Sequence, residues 1–401
     1  MAGNAPHSRR DPETTPVVVA CCRTAIGRAH PERGLFRHVR GDELAAAVVR
    51  AVVERSGVDP HSIEDVVLGA TQQRGELGGN VARTVALLAG LPLTTAGTTV
   101  NRLCGSSLQA LAQACHAIAA GAENVQVVGG VEHMHHLPME SAVDIHPRAF
   151  ARSSRGMLSM GLTAEYLAGA HGISRRRQED YALASHRKAA RADDDGLFED
   201  EIVRTIGHDE GGGLLEAVRD QSVRGDTSLE AMAALEPVFL PKLGTVTAAT
   251  SAPVSDGAAA VLVMSAAEAA RQGLSPLARV AATAVVGVPP AAMGTGPIAA
   301  TQKLLARIAS QGIALADIDL IELNEAFAAQ AIHCIDSLGL DAERVNVRGG
   351  SLAIGHPLGA SGARITTTLL HAMRDGGGRL GLATMCIGLG QGIAVLFERL
   401  E

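Results

Sequence analysis

The 401-residue chain contains no Trp, only two Tyr and only six Phe. Stacking platforms for single-stranded nucleic acid or sugar rings therefore cannot be numerous, and the core must be aliphatic. A strong excess of either charge is also missing: 35 basic and 42 acidic residues leave a net −7. That aids solubility but gives no global attraction to nucleic acid or an anionic membrane. Any anionic ligand must find a local patch. No apolar run reaches the ~18–20 residues of a membrane-spanning helix. The start, Met1 to Pro16, is polar and Val17 to Ala20 is too short for a signal core, so a cytoplasmic protein is expected. The six cysteines, at 21, 22, 104, 115, 334 and 386, form no CxxC pair, and reduced thiols are expected.

Glycine is plentiful, at 45 residues without a G-X-Y period, which points to tight turns and close backbone approaches. With 47% hydrophobic and 19% charged residues the chain is not disordered, and its length suits two or three packed units of ~100–200 residues. Thr15 to Cys22, Ile63 to Ala70 and Val125 to Gly130 read as buried strands; Asp42 to Arg55, Asn80 to Ala89 and Leu103 to Ala120 read as helices. The last is so uniformly small and apolar that it belongs at the centre. The C-terminal third repeats this order, with strands at Asp319 to Asn324, Arg379 to Thr384 and Ile393 to Phe397 and a helix from Gly359 to Met373. Matching Asp65-Val-Val to Asp319-Leu-Ile sets Cys104 and His356 at nearly equal distances downstream, each at a turn before a small-residue helix. Between the halves, from about Val131 to Ala252, a more charged stretch carries helix signals at Thr163 to His171 and Ser174 to Ala192 and a break at Gly211 to Gly213. It reads as an inserted, more exposed subdomain of an α/β protein.

Several segments carry chemistry. Asn101-Arg-Leu-Cys104-Gly-Ser-Ser places a thiol where a turn enters a helix; unpaired N–H groups and the dipole there favour thiolate over the free pKa of ~8.5 and can form an oxyanion hole. A merely buried small hydrophobe stays open as the alternative. Gly349-Gly-Ser-Leu-Ala-Ile-Gly-His356-Pro-Leu-Gly359 sets a His among glycines, a poor place for a packed imidazole and one that lacks P-loop or dinucleotide spacing. Thr384-Met-Cys386-Ile-Gly388-Leu-Gly390-Gln-Gly392 lies between two predicted strands; its glycines let backbone crowd a reacting group, with a plain hairpin turn as the alternative. Asn324-Glu-Ala-Phe-Ala-Ala-Gln330 puts an amide at a strand end, where α/β folds collect functional groups. His133-Met-His135-His136 lacks a zinc-spaced ligand set and reads as a surface loop. Arg175 to Arg177 reads as a solvated helix face unless the ligand is polyanionic.

Taken together, the segments around Cys104, Asn324, His356 and Cys386 resemble, in order and spacing, the signature segments of the thiolase family. Gly129-Gly-Val-Glu-His-Met134, Met160-Gly-Leu-Thr-Ala-Glu165 and Met293-Gly-Thr-Gly296 bring the resemblance nearest the bacterial branch that cleaves 3-ketoacyl-CoA in fatty-acid β-oxidation. It implies two duplicated five-layered α/β halves, over 17–270 and 275–401, with a loop domain inserted at about 131–252; the polar extension 1–16 lies outside it. It also implies that Cys104 is the acylated nucleophile, His356 its base and Cys386 the acid that protonates the departing acetyl-CoA carbanion. One oxyanion site would be the N–H pair of Cys104 and Gly388, the other His356 with a water on Asn324. Substrate and CoA contacts would come from Met160, Arg224, Phe239, Ala248, Ser251, Ala252, Met293 and Phe327.

No permanently bound cofactor and no metal are implied, only coenzyme A as substrate. The implied partners are acyl-CoA thioesters, a second or further copies in a homodimer or tetramer, and a multifunctional β-oxidation subunit. Four positions depart from the family pattern, one of them Glu236, which sits where a basic residue is common. Ala249 stands where Gly is usual and Ala252 where a Ser often faces the CoA arm, so Ser251 is considered as a substitute hydroxyl. Ser159 replaces a His common in short-chain biosynthetic members, which favours 3-ketoacyl cleavage over acetoacetyl-CoA synthesis. A thiolase-fold CoA- or lipid-binding protein without activity is the alternative from another class, and the intact Cys104, Asn324, His356 and Cys386 argue against it.

Overall fold

The computed structural model describes residues 11–139 and 143–400; the first ten residues of the polar extension and 140–142 of the insert lie outside that range. The N-terminal part runs β1 (Pro16–Arg23), β2 (Gly27–Arg28), α1 (Gly41–Ser56), β3 (Asp65–Gly69), α2 (Val81–Leu88), β4 (Ala96–Val100), α3 (Ser106–Ala119) and β5 (Val125–His133). A second region adds α4 (Met160–Ala170), α5 (Arg175–Asp194), the small hairpin β6 (Thr205–His208) and β7 (Leu214–Ala217), and α6 (Leu229–Ala233). The chain then returns through β8 (Ser255–Ser265), α7 (Ala266–Arg271), β9 (Ala278–Gly287), α8 (Gly296–Arg307), β10 (Leu320–Leu323), α9 (Ala328–Leu338), α10 (Ser351–Ile354), α11 (Ser361–Gly376), β11 (Leu380–Ile387) and β12 (Gln391–Arg399). The expected start of the insert at 131 falls inside β5.

All strands but the small hairpin join one mixed sheet in the order β10-β11-β12-β9-β1-β8-β5-β3-β4, with β2 on β8. Parallel pairs flank each end, β10 on β11 and β4-β3-β5, and the middle is antiparallel. The expected two halves are visible as two strand sets, but they are continuous through a short β1–β9 pairing at Val17–Arg279 and Val18–Ala278. The sequence does not announce β4, β8 or β9. The Ala-rich run in β8 favours helix by propensity, and its burial along the whole length overrides that preference.

The two small-residue helices explain where a site forms. α3 and α11 pack so closely that a Cβ on Gly362 would collide with the Leu108 backbone, while the Ala363 N–H donates to Ser107 Oγ at 2.9 Å. Beside that seam, a Cβ on Gly130 of β5 would strike the carbonyl of Gly359, just before α11. Both helix starts, and the turns carrying Cys104 and His356, are thereby brought together.

Candidate active site

The turn 101–105 is shaped by its own polar side chains. Asn101 Oδ1 accepts from the Leu103 N–H (2.9 Å), and Ser106 Oγ accepts from the Arg102 N–H (2.9 Å) while donating to the Leu103 carbonyl (2.6 Å). Leu103 is thereby held at φ +47°. Cys104 is half-buried. The helix begins at Ser106 rather than at Leu103, so the thiol stands ahead of the first turn. Its expected lowered pKa is not found: burial pushes it up to about 11, and the N–H groups of Gly388 and of Cys104 itself only partly oppose this. The resting group is a thiol and needs a base.

An imidazole from the loop entering α11 lines the same cavity. His356 is buried, its N–H donates to Ser255 Oγ (3.1 Å), and its Nδ1 lies 2.6 Å from Ser361 Oγ. Burial, then the charge of Arg364, holds it down at about 3, so the ring is neutral. Asn324, just past β10, faces it, with Nδ2 3.4 Å from Nε2. Cys386 is buried near the end of β11, and burial followed by the neighbouring thiols of Cys104 and Cys334 keeps it well above an ordinary thiol. The glycine run after it is indeed the hairpin turn into β12, and it also delivers the Gly388 N–H to Cys104.

These groups share one cavity of about 510 Å³ including its open mouth. Cys104, His356, Cys386 and Gly388 line it, with Met160, Ala252, Met293 and Phe327 as apolar wall. Asn324 is fully buried behind His356 rather than on the wall. Phe239 stacks edge-on against Phe327 at 5.9 Å between ring centroids. Ser251 does not replace the missing hydroxyl, because its Oγ–H is spent on the Thr247 carbonyl at 2.8 Å. Ala248 lies in the short 3-10 turn just before it. Arg224 is exposed and does not line the cavity; its N–H donates to His186 Nδ1 (3.1 Å).

Two alternatives weighed on sequence are resolved. Arg175 to Arg177 is paired off: Arg175 with Glu179 and the carbonyls ending α6, Arg176 with Asp180, Arg177 with Asp336. The histidine run is not a surface loop, since His133 ends β5 fully buried and stacks on His136 with centroids 3.8 Å apart. Glu76, His133 and His136 are the one such group that brings three metal-type ligands together among the described residues. Their ring nitrogens are already occupied: His133 Nε2 by the Phe36 carbonyl (3.1 Å) and Nδ1 by the His136 N–H (3.2 Å), and His136 by Glu76 and the Arg37 carbonyl (3.0 Å each).

Sequence reading missed the polar support. The buried Glu132 carboxylate accepts from the N–H and Oγ1–H of Thr71 and the N–H groups of Gln72 and Gly359, tying the turn after β3 to the His356 loop. Buried Glu325 accepts from Tyr181, Ser185, Asn346 and the Leu352 N–H, fastening α5 beside Asn324. Both sit inside segments singled out for their neighbours, which was the available signal. Met134, Met139, Val254 and Leu358 were likewise unassigned and line the cavity.

Comparison with known proteins matches residues 16–267 to the thiolase N-terminal domain and 274–399 to the thiolase C-terminal domain. The 3-ketoacyl-CoA thiolases of Aliivibrio fischeri and Shewanella frigidimarina are 51% and 50% identical over 387 residues, 96% of this chain and 99% of each relative. Human mitochondrial 3-ketoacyl-CoA thiolase superposes with a TM-score of 0.88 at 35% identity, covering 97% of this chain and all of that one. Acetyl-CoA acetyltransferase of Bacillus anthracis does so with 0.87 at 37%, covering 96% and 99%. Two thiols and a neutral imidazole line one cavity with an amide buried behind the imidazole, and both halves of the chain match: the chain belongs to the thiolase family.

Proposed function

We propose that the chain cleaves 3-oxoacyl-CoA with CoA, giving acetyl-CoA and a shortened acyl-CoA, in fatty-acid β-oxidation. The observation that carries this is the convergence of Cys104, His356 and Cys386 on one apolar-walled cavity. Identity of about half the residues to curated 3-ketoacyl-CoA thiolases supports the reading. His356 Nε2 takes the Cys104 proton and the thiolate attacks the 3-keto carbon. The tetrahedral oxyanion lies between the N–H groups of Cys104 and Gly388. The C2–C3 bond then breaks with its electron pair on C2, leaving a Cys104 thioester and an acetyl-CoA enolate. Protonated His356, with Asn324 acting through a water, stabilises the enolate oxygen, and the Cys386 S–H protonates C2. The Cys386 thiolate next takes the CoA proton, the CoA thiolate attacks the acyl-enzyme, and Cys104 leaves, recovering its proton from His356. A thioester intermediate keeps the acyl group activated for transfer.

Met160, Ala252, Met293 and Phe327 form the wall for acyl and pantetheine chains in this proposal, backed by Phe239 and the turn at Ala248 and Ser251. Arg224 is assigned to the CoA phosphates. We assign a homodimer or tetramer, with the unpaired edge at β4 as the surface for a second copy, and leave a multifunctional β-oxidation subunit as a further partner. Coenzyme A enters as substrate and no resident cofactor is assigned. No described helix is long and apolar enough to cross a membrane, and the cytoplasm is the compartment we assign.

The test separates the thiols. Cys104→Ser should abolish both acyl transfer and cleavage. Cys386→Ser should still accept an acyl group yet lose cleavage by roughly 10²–10⁴-fold, the usual worth of a positioned acid or base. An active Cys104→Ser enzyme would remove the assignment.

A further inference from the structure

The enolate site needs donors, and each of its two groups has a polarity that could be reversed. An amide can turn either its N–H₂ or its carbonyl to the reacting centre, and an imidazole can carry its proton on either nitrogen. The cavity wall is apolar and fixes neither. Two buried serines behind the wall do.

Ser361 Oγ–H donates to the Pro357 carbonyl at 2.9 Å. Its oxygen therefore accepts from His356 Nδ1–H, 2.6 Å away, which leaves the Nε2 lone pair facing the cavity. Ser351 works in the opposite sense. Arg364 Nη2, which can only donate, lies 2.8 Å from Ser351 Oγ, so the serine's own proton goes to Asn324 Oδ1 at 2.6 Å. With the carbonyl end tied, Nδ2 is the end left for His356 and the cavity. A flipped amide would leave the buried Ser351 proton without an acceptor, the arrangement proteins avoid.

Arg364 is placed for this task and little else. It is fully buried on α11, reaches Glu322 only at 3.5 Å, and its Nε has no hydrogen-bond partner. Its strongest hydrogen bond is the one to Ser351.

We propose that Arg364 and Ser351 are positioning residues that lock Asn324 with its N–H₂ toward His356 and the water that links it to the enolate oxygen, while Ser361 locks the His356 tautomer. The proposal rests on the thiolase reading above and adds a step-selective consequence. Asn324 serves the enolate; acyl transfer to Cys104 uses the Cys104 and Gly388 N–H groups instead. Loss of the Ser351 hydroxyl should therefore slow only the steps that pass through an enolate.

Three rates measured on each variant test it: cleavage of a 3-oxoacyl-CoA, exchange of acetyl-CoA C2 protons with D₂O, and exchange of labelled CoA into butyryl-CoA. Ser351→Ala should lower the first two by roughly 10- to 100-fold, less than deleting an oxyanion donor outright, and leave CoA exchange within about twofold. Ser351→Thr, which keeps the hydroxyl, should restore the first two rates. Ser351→Cys, nearly isosteric but a weak donor, should behave like the Ala variant and serves if that one does not fold. Ser361→Ala should slow all three, because His356 also activates Cys104. Equal loss of all three rates in Ser351→Ala and Ser351→Cys, or cleavage within twofold of the parent, overturns the proposal. Failure of the parent itself to cleave any 3-oxoacyl-CoA would instead overturn the thiolase reading.

Discussion

Among the described residues two arginines are completely buried, and they are treated in opposite ways. Arg23, at the end of β1, donates to Glu201 at 3.0 Å and bidentately to Asp220 at 2.8 and 3.0 Å, with Phe198 beneath its guanidinium. Burial disfavours its charge, but Asp220 and Glu201 outweigh burial and hold it more firmly protonated than usual. Arg364 has only the distant Glu322, and there burial wins and lowers its pKa. The saturated arginine joins β1 to the insert that carries Glu201 and Asp220. The under-paired one keeps a donor free for Ser351 and thus for Asn324. Pairing marks the group that holds the fold, and incomplete pairing marks the group that serves the site.

The largest expected effect breaks that contrast on the stability side. Arg23→Met strands the Asp220 carboxylate, leaves Glu201 with Arg348 and Thr368 alone, and should cost about 3–5 kcal/mol, the usual result of removing one partner from a buried pair. Arg364→Met should cost much less, because Glu322, which burial raises to about 8, already holds its proton at neutral pH and is left uncharged. Denaturant unfolding of both variants measures this, and equal losses would end the distinction.

A second measurement concerns activity. His356 is held near 3 by burial and Cys104 near 11, so the working pair is a neutral imidazole and a neutral thiol across ordinary pH. The logarithm of kcat/KM should be flat from about pH 5 to 8. An acid limb centred near the ordinary histidine value of ~6.5 would show that His356 is far more hydrated than its burial indicates.

The smallest effect repeats the arginine contrast in two stacked histidines. His133 is neutral, held down at about 4 by burial and then by His136. His136 is raised: burial opposes its charge, but the Arg37 carbonyl and Glu76 outweigh it. The groups around the stack are Glu76, His135, Asp256 and Arg37, with His30 nearby. A depressed histidine withdraws stability as pH falls from about 6.5 toward 4, since the unfolded chain binds the proton first. A raised one contributes fully below about 6.5 and is lost as pH rises through its folded value. Stability should thus decline on both sides, and His136→Asn should flatten the alkaline side while easing the acid side less, because burial, the larger cause, still holds His133 down. A variant that flattens the acid side instead would reverse the two assignments.

Legibility followed the kind of signal each residue leaves. A β-branched apolar run marks β1, helical spacing marks α1, a uniformly small and apolar run marks α3, and the repeat of that order marks α11 and β12; a turn entering a helix marks Cys104, and glycine-rich stretches mark His356 and Gly388. β8 escaped because its Ala-rich sequence becomes a strand only through its neighbours. The thiol's raised pKa escaped because local sequence shows the N–H groups that lower it and not the burial that prevails. Ser351, Ser361, Glu132 and Glu325 look like ordinary polar residues until their partners, supplied by distant segments, are known.

The close approach of α3 to α11 also bears on when the protein becomes reactive. More than half of the chain separates Cys104 from His356, so their meeting is a contact of high sequence separation, the type that closes late in folding. A growing chain carries Cys104 for most of its synthesis without His356, the base in the proposed mechanism. Over that interval the residue is an ordinary thiol, and the nucleophile is armed by docking one helix on the other.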